Sequence, residues 1–218
     1  MDGMQGLMGR LYIATDVVTR FLYLSLLWIG MSLLGIVILG VFPATVALFT
    51  VCRKWVMGDT DVGVTRLFWK AYRVDFWRAN GLGWILIAAG FVLQADFRFF
   101  EHSSGPIKLL VWLLFVVFFF FAILSIYIFP VYVHVQARFF QYFRLAFIIA
   151  AVQPFKTIFL LVLLLFVTFY VRGILPILCV GVVGYLVMRV AYSGFAKIEK
   201  RTGTTLIAQA TAEFEEEK

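Results

Sequence analysis

Long apolar runs separated by short polar segments make up most of the 218-residue chain. A helix that crosses a bilayer needs about 20 mainly apolar residues, because each residue adds about 1.5 Å and the hydrocarbon core is about 30 Å thick. The runs that meet or approach this length are predicted to be membrane-spanning helices. They cover residues 21–41, 81–97, 107–129, 157–171 and 174–192. The pattern predicts an all-α membrane protein, a bundle of five or six transmembrane helices.

The uncertain sixth crossing follows the first run. The uncharged stretch 21–52 is too long for one crossing and too short for two. Proline favours the first turn of a helix and interrupts a helix interior, so Pro43 predicts a break at 40–43 and a second, short helix over 43–57. Its length favours a re-entrant or interfacial helix. The charge of the N-terminal segment favours a crossing, which would place that segment beside the other cations.

Composition and charge support the membrane assignment. The chain is 63% hydrophobic and 14% charged, too few charges to cover a water-exposed surface. The net charge of +7 is distributed between the apolar runs, which favours membrane orientation over nucleic-acid binding. With a cytoplasmic C-terminus and Arg10 and Arg20 left aside, 14 basic residues, Arg53 among them, face the cytoplasm. Three face the opposite side: Arg98, Lys108 and Arg172. The sequence therefore predicts a multi-pass membrane protein with both termini cytoplasmic.

The segment 64–78 has the most regular polar pattern outside the spans. At 100° per residue, one face of a helix carries Thr65, Phe68, Trp69, Tyr72 and Phe76. A second face carries Arg66, Lys70, Arg73 and Trp77. This pattern predicts an amphipathic helix in the cytoplasmic interface, with aromatic side chains toward the acyl chains and cations toward phosphates. Such a helix is either a simple anchor or a docking surface for a partner.

A second polar stripe follows Pro130, where the run 107–129 ends. Residues 131–150 keep a helical pattern that places His134, Arg138 and Gln141 near one stripe. Polar residues near membrane depth favour a pathway or a partner contact. Because the segment follows a complete span, the stripe equally fits a face turned to the cytosol.

The sequence contains no arrangement of residues that predicts catalysis. Paired carboxylates, a Ser-His-Asp set, a phosphate-binding loop and a zinc motif are all absent from it. Cys52 and Cys179 lie in separate apolar runs, with no metal-binding or redox spacing. We therefore expect a protein that is not an enzyme and has no cofactor and no metal site.

The chain is expected to form one transmembrane domain over residues 21–196. Residues 1–20 precede it and are predicted to contain a short surface helix. Residues 197–218 follow it as a charged cytoplasmic tail.

Four short motifs in order resemble one bacterial family, the YesL-like membrane proteins (domain of unknown function family 624). The motifs are Pro43-Ala44-Thr45-Val46-Ala47-Leu48, the pair Phe68 and Phe76, Tyr127-Ile128-Phe129-Pro130, and Ala150-Ala151-Val152-Gln153-Pro154-Phe155-Lys156-Thr157. The small residues of the first motif suit a close-packing helix start, where Thr45 can hydrogen-bond. The resemblance covers roughly residues 20–195 and implies no catalytic residues.

The resemblance implies a link to the uptake of oligosaccharides through ATP-driven importers. The leading hypothesis is an accessory or assembly subunit that contacts the lipid bilayer and importer permease subunits. The alternative is an independent small transporter or channel that self-associates. A transporter should carry polar residues at the membrane midplane or broken helices around a cavity, and only the break near residues 40–45 has this character.

Overall fold

The fold of the described residues is entirely helical. A computed structural model describes residues 2–101, 110–135, 139–170 and 178–202, and none of these residues lies in a strand. The helices in chain order are α1 (Asp2–Leu34), α2 (Val41–Val56), α3 (Val64–Val74), α4 (Phe76–Glu101), α5 (Leu110–His134), α6 (Phe139–Val152), α7 (Pro154–Tyr170) and α8 (Val180–Thr202).

The short helix α2 lies at the centre of the fold. It packs against α1, α3, α4, α5 and α8, and most of its side chains are buried. Small residues allow this close packing. A Cβ atom on Gly184 of α8 would overlap the Leu48 side chain, and one on Gly83 of α4 would overlap the Phe42 ring. Small residues at such contacts let helix backbones approach each other.

The break between the first two helices differs from the prediction. Residues 1–20 were expected to contain a short surface helix, and they belong to α1, which is continuous from Asp2 to Leu34. The chain then reverses over residues 35–40, earlier than the predicted break at 40–43. Ile36 and Val37 adopt left-handed φ angles of 56° and 54°, which β-branched residues rarely adopt. The chain can reverse here because Gly35 and Gly40 have no side chains. A Cβ atom on Gly35 would overlap Gly40.

Helices α4 and α5 form an antiparallel hairpin. Gly90 of α4 faces Phe121 of α5, and Phe97 packs edge-on against Phe115 at 4.9 Å between ring centroids. The prediction that Pro130 ends the helix is wrong, because α5 continues through it to His134. A proline removes one backbone hydrogen bond, which is tolerated in an apolar helix whose neighbours hold it in place. Pro130 lies in the buried end of α5 and is packed on both sides.

Three described helical segments are long and apolar enough to cross a membrane. They are Thr15–Leu34, Phe76–Phe100 and Leu110–His134. The segments Gln141–Val152 and Pro154–Thr168 are long and apolar enough when taken together. They would make a fourth span, with a bend of 102° between them. The described residues thus give three or four candidate spans, against the five or six predicted. The predicted Arg172-Gly173 turn and the start of the 174–192 run lie outside the described residues.

Candidate functional site

The helix α3 is fixed to the core by one of its faces. Phe68 is 1% exposed and Tyr72 is 7% exposed, and both pack in the core around α2. The Tyr72 hydroxyl donates a hydrogen bond of 3.2 Å to the Met31 carbonyl of α1. Burial raises the pKa of the Tyr72 hydroxyl. A second link joins the Tyr23 and Thr65 hydroxyls at 2.6 Å. These contacts hold α3 in one orientation.

The predicted environment of the aromatic face is therefore wrong at two positions. Phe68 and Tyr72 contact protein, whereas the amphipathic pattern placed them in acyl chains. Amphipathicity defines an apolar face but not the apolar medium that covers it. The helix boundary also differs, because α3 ends at Val74 and Phe76 begins α4. Trp69 does lie at the surface, 47% exposed and stacked on Tyr72 at 6.2 Å.

The cationic face of α3 points away from the core. Arg66, Lys70 and Arg73 are exposed, and none of the three forms a salt bridge with a described residue. The Arg73 guanidinium lies over the Trp69 ring, 5.7 Å from its centroid. A cation over an indole face gains electrostatic attraction and becomes less mobile. The face is therefore a row of fixed positive charges on a helix whose opposite side is buried.

A shallow apolar groove of ≈ 370 Å³ lies where α3 meets α1. Its lining residues are Leu27, Met31, Thr65, Arg66, Phe68 and Trp69. Arg66 is the charged member of this set, so the groove joins apolar surface to the cationic face. Aromatic side chains or acyl chains suit such a groove, with an anionic group at its charged edge.

The first family motif forms the buried start of α2. Pro43 lies in the first turn, and Ala44 and Ala47 are fully buried. The Thr45 hydroxyl donates to the Val41 carbonyl at 2.7 Å and accepts a hydrogen bond of 3.1 Å from Trp28 Nε1. Thr45 thus ties α2 to α1 near the reversal.

The polar stripe predicted after Pro130 is not one continuous helical face. His134 ends α5, whereas Gln141 belongs to the separate helix α6. Arg138 lies between them, outside the described residues. His134 faces inward, 9% exposed, with its ring stacked on Phe195 of α8 at 4.1 Å. The prediction of a single stripe is wrong because α5 ends at His134.

The last family motif forms the bend between α6 and α7. Pro154 begins α7 directly after Gln153, where the helix axis turns by 102°. Gln153 is buried, and its Oε1 accepts a hydrogen bond of 2.9 Å from the Ser193 hydroxyl of α8. The Thr157 and Tyr127 hydroxyls lie 3.0 Å apart, which ties α7 to α5. Hydrogen bonds between three helices thus fix the bend.

Sequence reasoning did not find these inter-helix bonds. Tyr127, Gln153 and Thr157 were named only as parts of family motifs, and Ser193, directly after the run 174–192, was not singled out. Arg53 was counted for orientation only, yet it bonds to the end of α5 through the Val133 carbonyl. A polar residue inside an apolar run was the available signal for a hydrogen bond between helices. Such a residue does not show which other residue it bonds.

Long apolar helices surround the short buried helix α2. Their length and composition indicate that the chain is an all-helical membrane protein. The family model described as "Protein of unknown function, DUF624" matches residues 21–97, from α1 through most of α4. The chain belongs to the YesL-like family of DUF624 proteins, as full-length similarity to its relatives shows.

The relatives are uncharacterized proteins of Bacillus subtilis (strain 168). The chain is 34% identical to YteU over 201 residues, which cover 91% of this chain and 90% of YteU. It is 31% identical to YesV over 199 residues, covering 87% and 93%. It is 37% identical to YesL over 142 residues, covering 65% and 66%. No solved structure matches the chain significantly.

Proposed function

We propose that this chain is a non-enzymatic accessory or assembly subunit of a carbohydrate importer, and that the cationic face of α3 is its contact with the importer permease pair. One observation carries the proposal. Arg66, Lys70 and Arg73 stand exposed on a helix that Phe68 and Tyr72 anchor in the core. A charged row on a fixed helix binds a complementary surface at a lower entropic cost than the same charges on a loop.

The choice of partner rests on the family resemblance. YesL-like proteins are linked to oligosaccharide uptake through ATP-driven importers, and the four motifs of this chain carry that resemblance. The exposed groove beside Trp69 supports a protein contact, since an aromatic side chain next to cations suits a binding hot spot. An acidic segment on a permease subunit would be the complementary partner.

The proposal also keeps the finer topology predicted from the sequence. In it, five or six helices cross a bacterial cytoplasmic membrane, and α3, the 134–156 segment and both termini face the cytoplasm. The charge asymmetry of 14 against three basic residues supports this orientation. Single cysteines at Thr60 and Thr205, in a chain with Cys52 and Cys179 replaced, test it on intact cells. Strong labelling of either position by an impermeant reagent from outside would overturn the orientation.

Co-purification in mild detergent tests the proposed partner. Expressed at its native level, the tagged protein should recover an ABC permease pair. Reversal of Arg66, Lys70 and Arg73 to Glu should reduce the recovered permease by about tenfold or more, if each charge contributes about 0.5 kcal/mol or more to the contact. The matched control reverses three other exposed cations to Glu: Arg144, Lys197 and Lys200.

The control triple should leave the recovery within about twofold of the wild type, because these charges lie outside the proposed contact. Equal losses from both triples would show a general charge effect and contradict the assigned surface. Recovery of the tagged chain alone would contradict the accessory role. Oligosaccharide flux in proteoliposomes that contain only this protein would favour the independent transporter.

A further inference from the structure

Arg53 is a partly buried cation that has no acidic partner among the described residues. It lies near the end of α2, where its Nη1 group donates a hydrogen bond of 3.0 Å to the Val133 carbonyl. Its Nε–H group is buried and has no hydrogen-bond partner in the described part of the chain. Arginine stays protonated in proteins, and an uncompensated charge at a buried position is costly. The site therefore has an unfilled requirement for negative charge.

The residues around Arg53 come from three helices. His134 follows Val133 at the end of α5, is buried, and has an unpartnered Nδ1 atom. Its ring lies edge-on to Tyr192 of α8, 5.8 Å between centroids. Arg53 bonds to the carbonyl of Val133, the residue directly before His134. Helices α2 and α5 thus bring together two residues that each have a buried nitrogen atom without a described partner.

The geometry of the guanidinium determines the kind of ligand. Val133 occupies Nη1, which leaves the side edge that carries Nε and Nη2 outside that bond. This edge carries two parallel N–H groups, whose spacing matches two oxygen atoms of a phosphate or carboxylate. Because Nε is buried, the side chains over it must move apart for such a ligand to contact both groups. In the tautomer protonated at Nδ1, His134 is a further donor. An oxyanion would satisfy both residues.

We infer that Arg53 and His134 form a binding site for a phosphate oxyanion, supplied either by an anionic lipid headgroup or by free phosphate. The position of the site in the fold favours a phosphate over a carboxylate as its ligand. His134 is the last residue of a helix long enough to cross a membrane, so the site lies at the end of a span. Lipid phosphates lie at that depth, and anionic lipids are attracted to cations there. The site is separate from the cationic face of α3 and does not depend on the proposed importer contact.

The chain offers a matched pair of variants for the test. Arg53→Met removes the guanidinium, and Lys54→Met removes one positive charge at the next residue, which is exposed. Arg53→Lys keeps the charge but replaces the fork with a point charge. The full-length protein is placed in nanodiscs of phosphatidylcholine with or without phosphatidylglycerol, and bound lipid is counted by native mass spectrometry. A second arm titrates inorganic phosphate in detergent, at constant ionic strength with chloride, and follows thermal unfolding.

The wild type should bind the anion saturably in one of the two arms. Phosphatidylglycerol retained without an effect of inorganic phosphate assigns the lipid headgroup, and stabilisation by inorganic phosphate assigns free phosphate. Arg53→Met should weaken binding by about tenfold or more, as expected when charge-assisted hydrogen bonds are lost, and Lys54→Met should stay within about twofold.

Three results would overturn the site. The first is no saturable anion effect in either arm. The second is an equal loss in Arg53→Met and Lys54→Met, which would show a general charge effect. If Arg53→Met does not fold, Arg53→Lys decides, and wild-type binding by that variant would contradict recognition by the fork.

Discussion

Helices α2 and α5 are both apolar, but the protein itself covers them very differently. The side chains of α2 are mostly buried, with Ala44, Ala47 and Cys52 fully enclosed. In α5, every buried residue lies between Ile123 and His134. The other half of α5 and its neighbour in α4 form what we call the distal hairpin, residues 87–100 and 110–122, where no side chain is buried. The more uniformly apolar helix is therefore the more exposed one.

The difference shows which kind of apolar residue serves which contact. The core uses small residues at close contacts: Gly181 of α8 faces the Phe21 backbone of α1, and Gly184 faces the Leu48 side chain of α2. The distal hairpin instead carries a run of phenylalanines, Phe118 to Phe120, each 44–50% exposed. Lipid chains cover phenylalanine as well as protein does, whereas close helix packing requires small residues. The core is shaped for protein contact, and we expect lipid to cover the hairpin.

Removal of one phenylalanine from each region should give the largest contrast. Phe68→Ala should lower the free energy of unfolding by ~3–5 kcal/mol, because the cavity left by a fully buried ring is not refilled. Phe119→Ala, at a ring that is 45% exposed, should cost less than ~1 kcal/mol, because detergent or lipid chains replace its contacts. Unfolding in mixed micelles with increasing dodecyl sulfate measures both. Similar losses would mean that the hairpin is covered by protein rather than lipid.

Addition of one methyl group at a glycine should give a smaller contrast. A Cβ atom at Gly181 would lie 2.6 Å from the Phe21 carbonyl oxygen and 2.8 Å from Ser25 Oγ. That hydroxyl also accepts a 3.0 Å hydrogen bond from the Gly181 amide. Gly181→Ala should therefore destabilise the protein by ~1–3 kcal/mol through overpacking.

The matched variant is Gly90→Ala in the distal hairpin. There the nearest side-chain atoms belong to Phe121 at 3.5 Å, an ordinary contact. The variant should be neutral or gain up to ~1 kcal/mol, because alanine has the higher helix propensity. The same unfolding measurement applies. A loss at Gly90 as large as that at Gly181 would contradict the loose packing of the hairpin.

Removal of one hydroxyl should give the smallest contrast. Tyr127→Phe breaks the bond to Thr157 that joins α5 to α7, and should cost ~1 kcal/mol. Ser125→Ala removes a hydroxyl whose one bond to a described residue is to Phe121 in its own helix, and should cost less than ~0.5 kcal/mol. Thermal unfolding in detergent distinguishes them. An equal effect would show that the Tyr127 bond does not join the helices in solution.

The segment 64–78 shows how far pattern reasoning reached at the candidate site. Helical periodicity identified α3 and placed Arg66, Lys70 and Arg73 on one face, and they are exposed. It assigned Phe68 and Tyr72 to the opposite face correctly but to the wrong environment, because the same aromatic face fits lipid and protein equally. The end of the helix was also missed, since the turn at Asp75 carries no proline or glycine that would predict it.

The sequence by itself determined that the chain is helical and has apolar segments long enough to span a membrane, because length and hydrophobicity are local properties of each run. It also predicted a break before the second helix, since Pro43 restricts the backbone locally. Only the tertiary structure decided that α2 is central, that Gln153 meets Ser193, and that Arg53 bonds to the Val133 carbonyl at the end of α5. The physical reason is that hydrophobicity measures exclusion from water and does not distinguish lipid from protein. Only the packing of distant helices decides which polar groups meet.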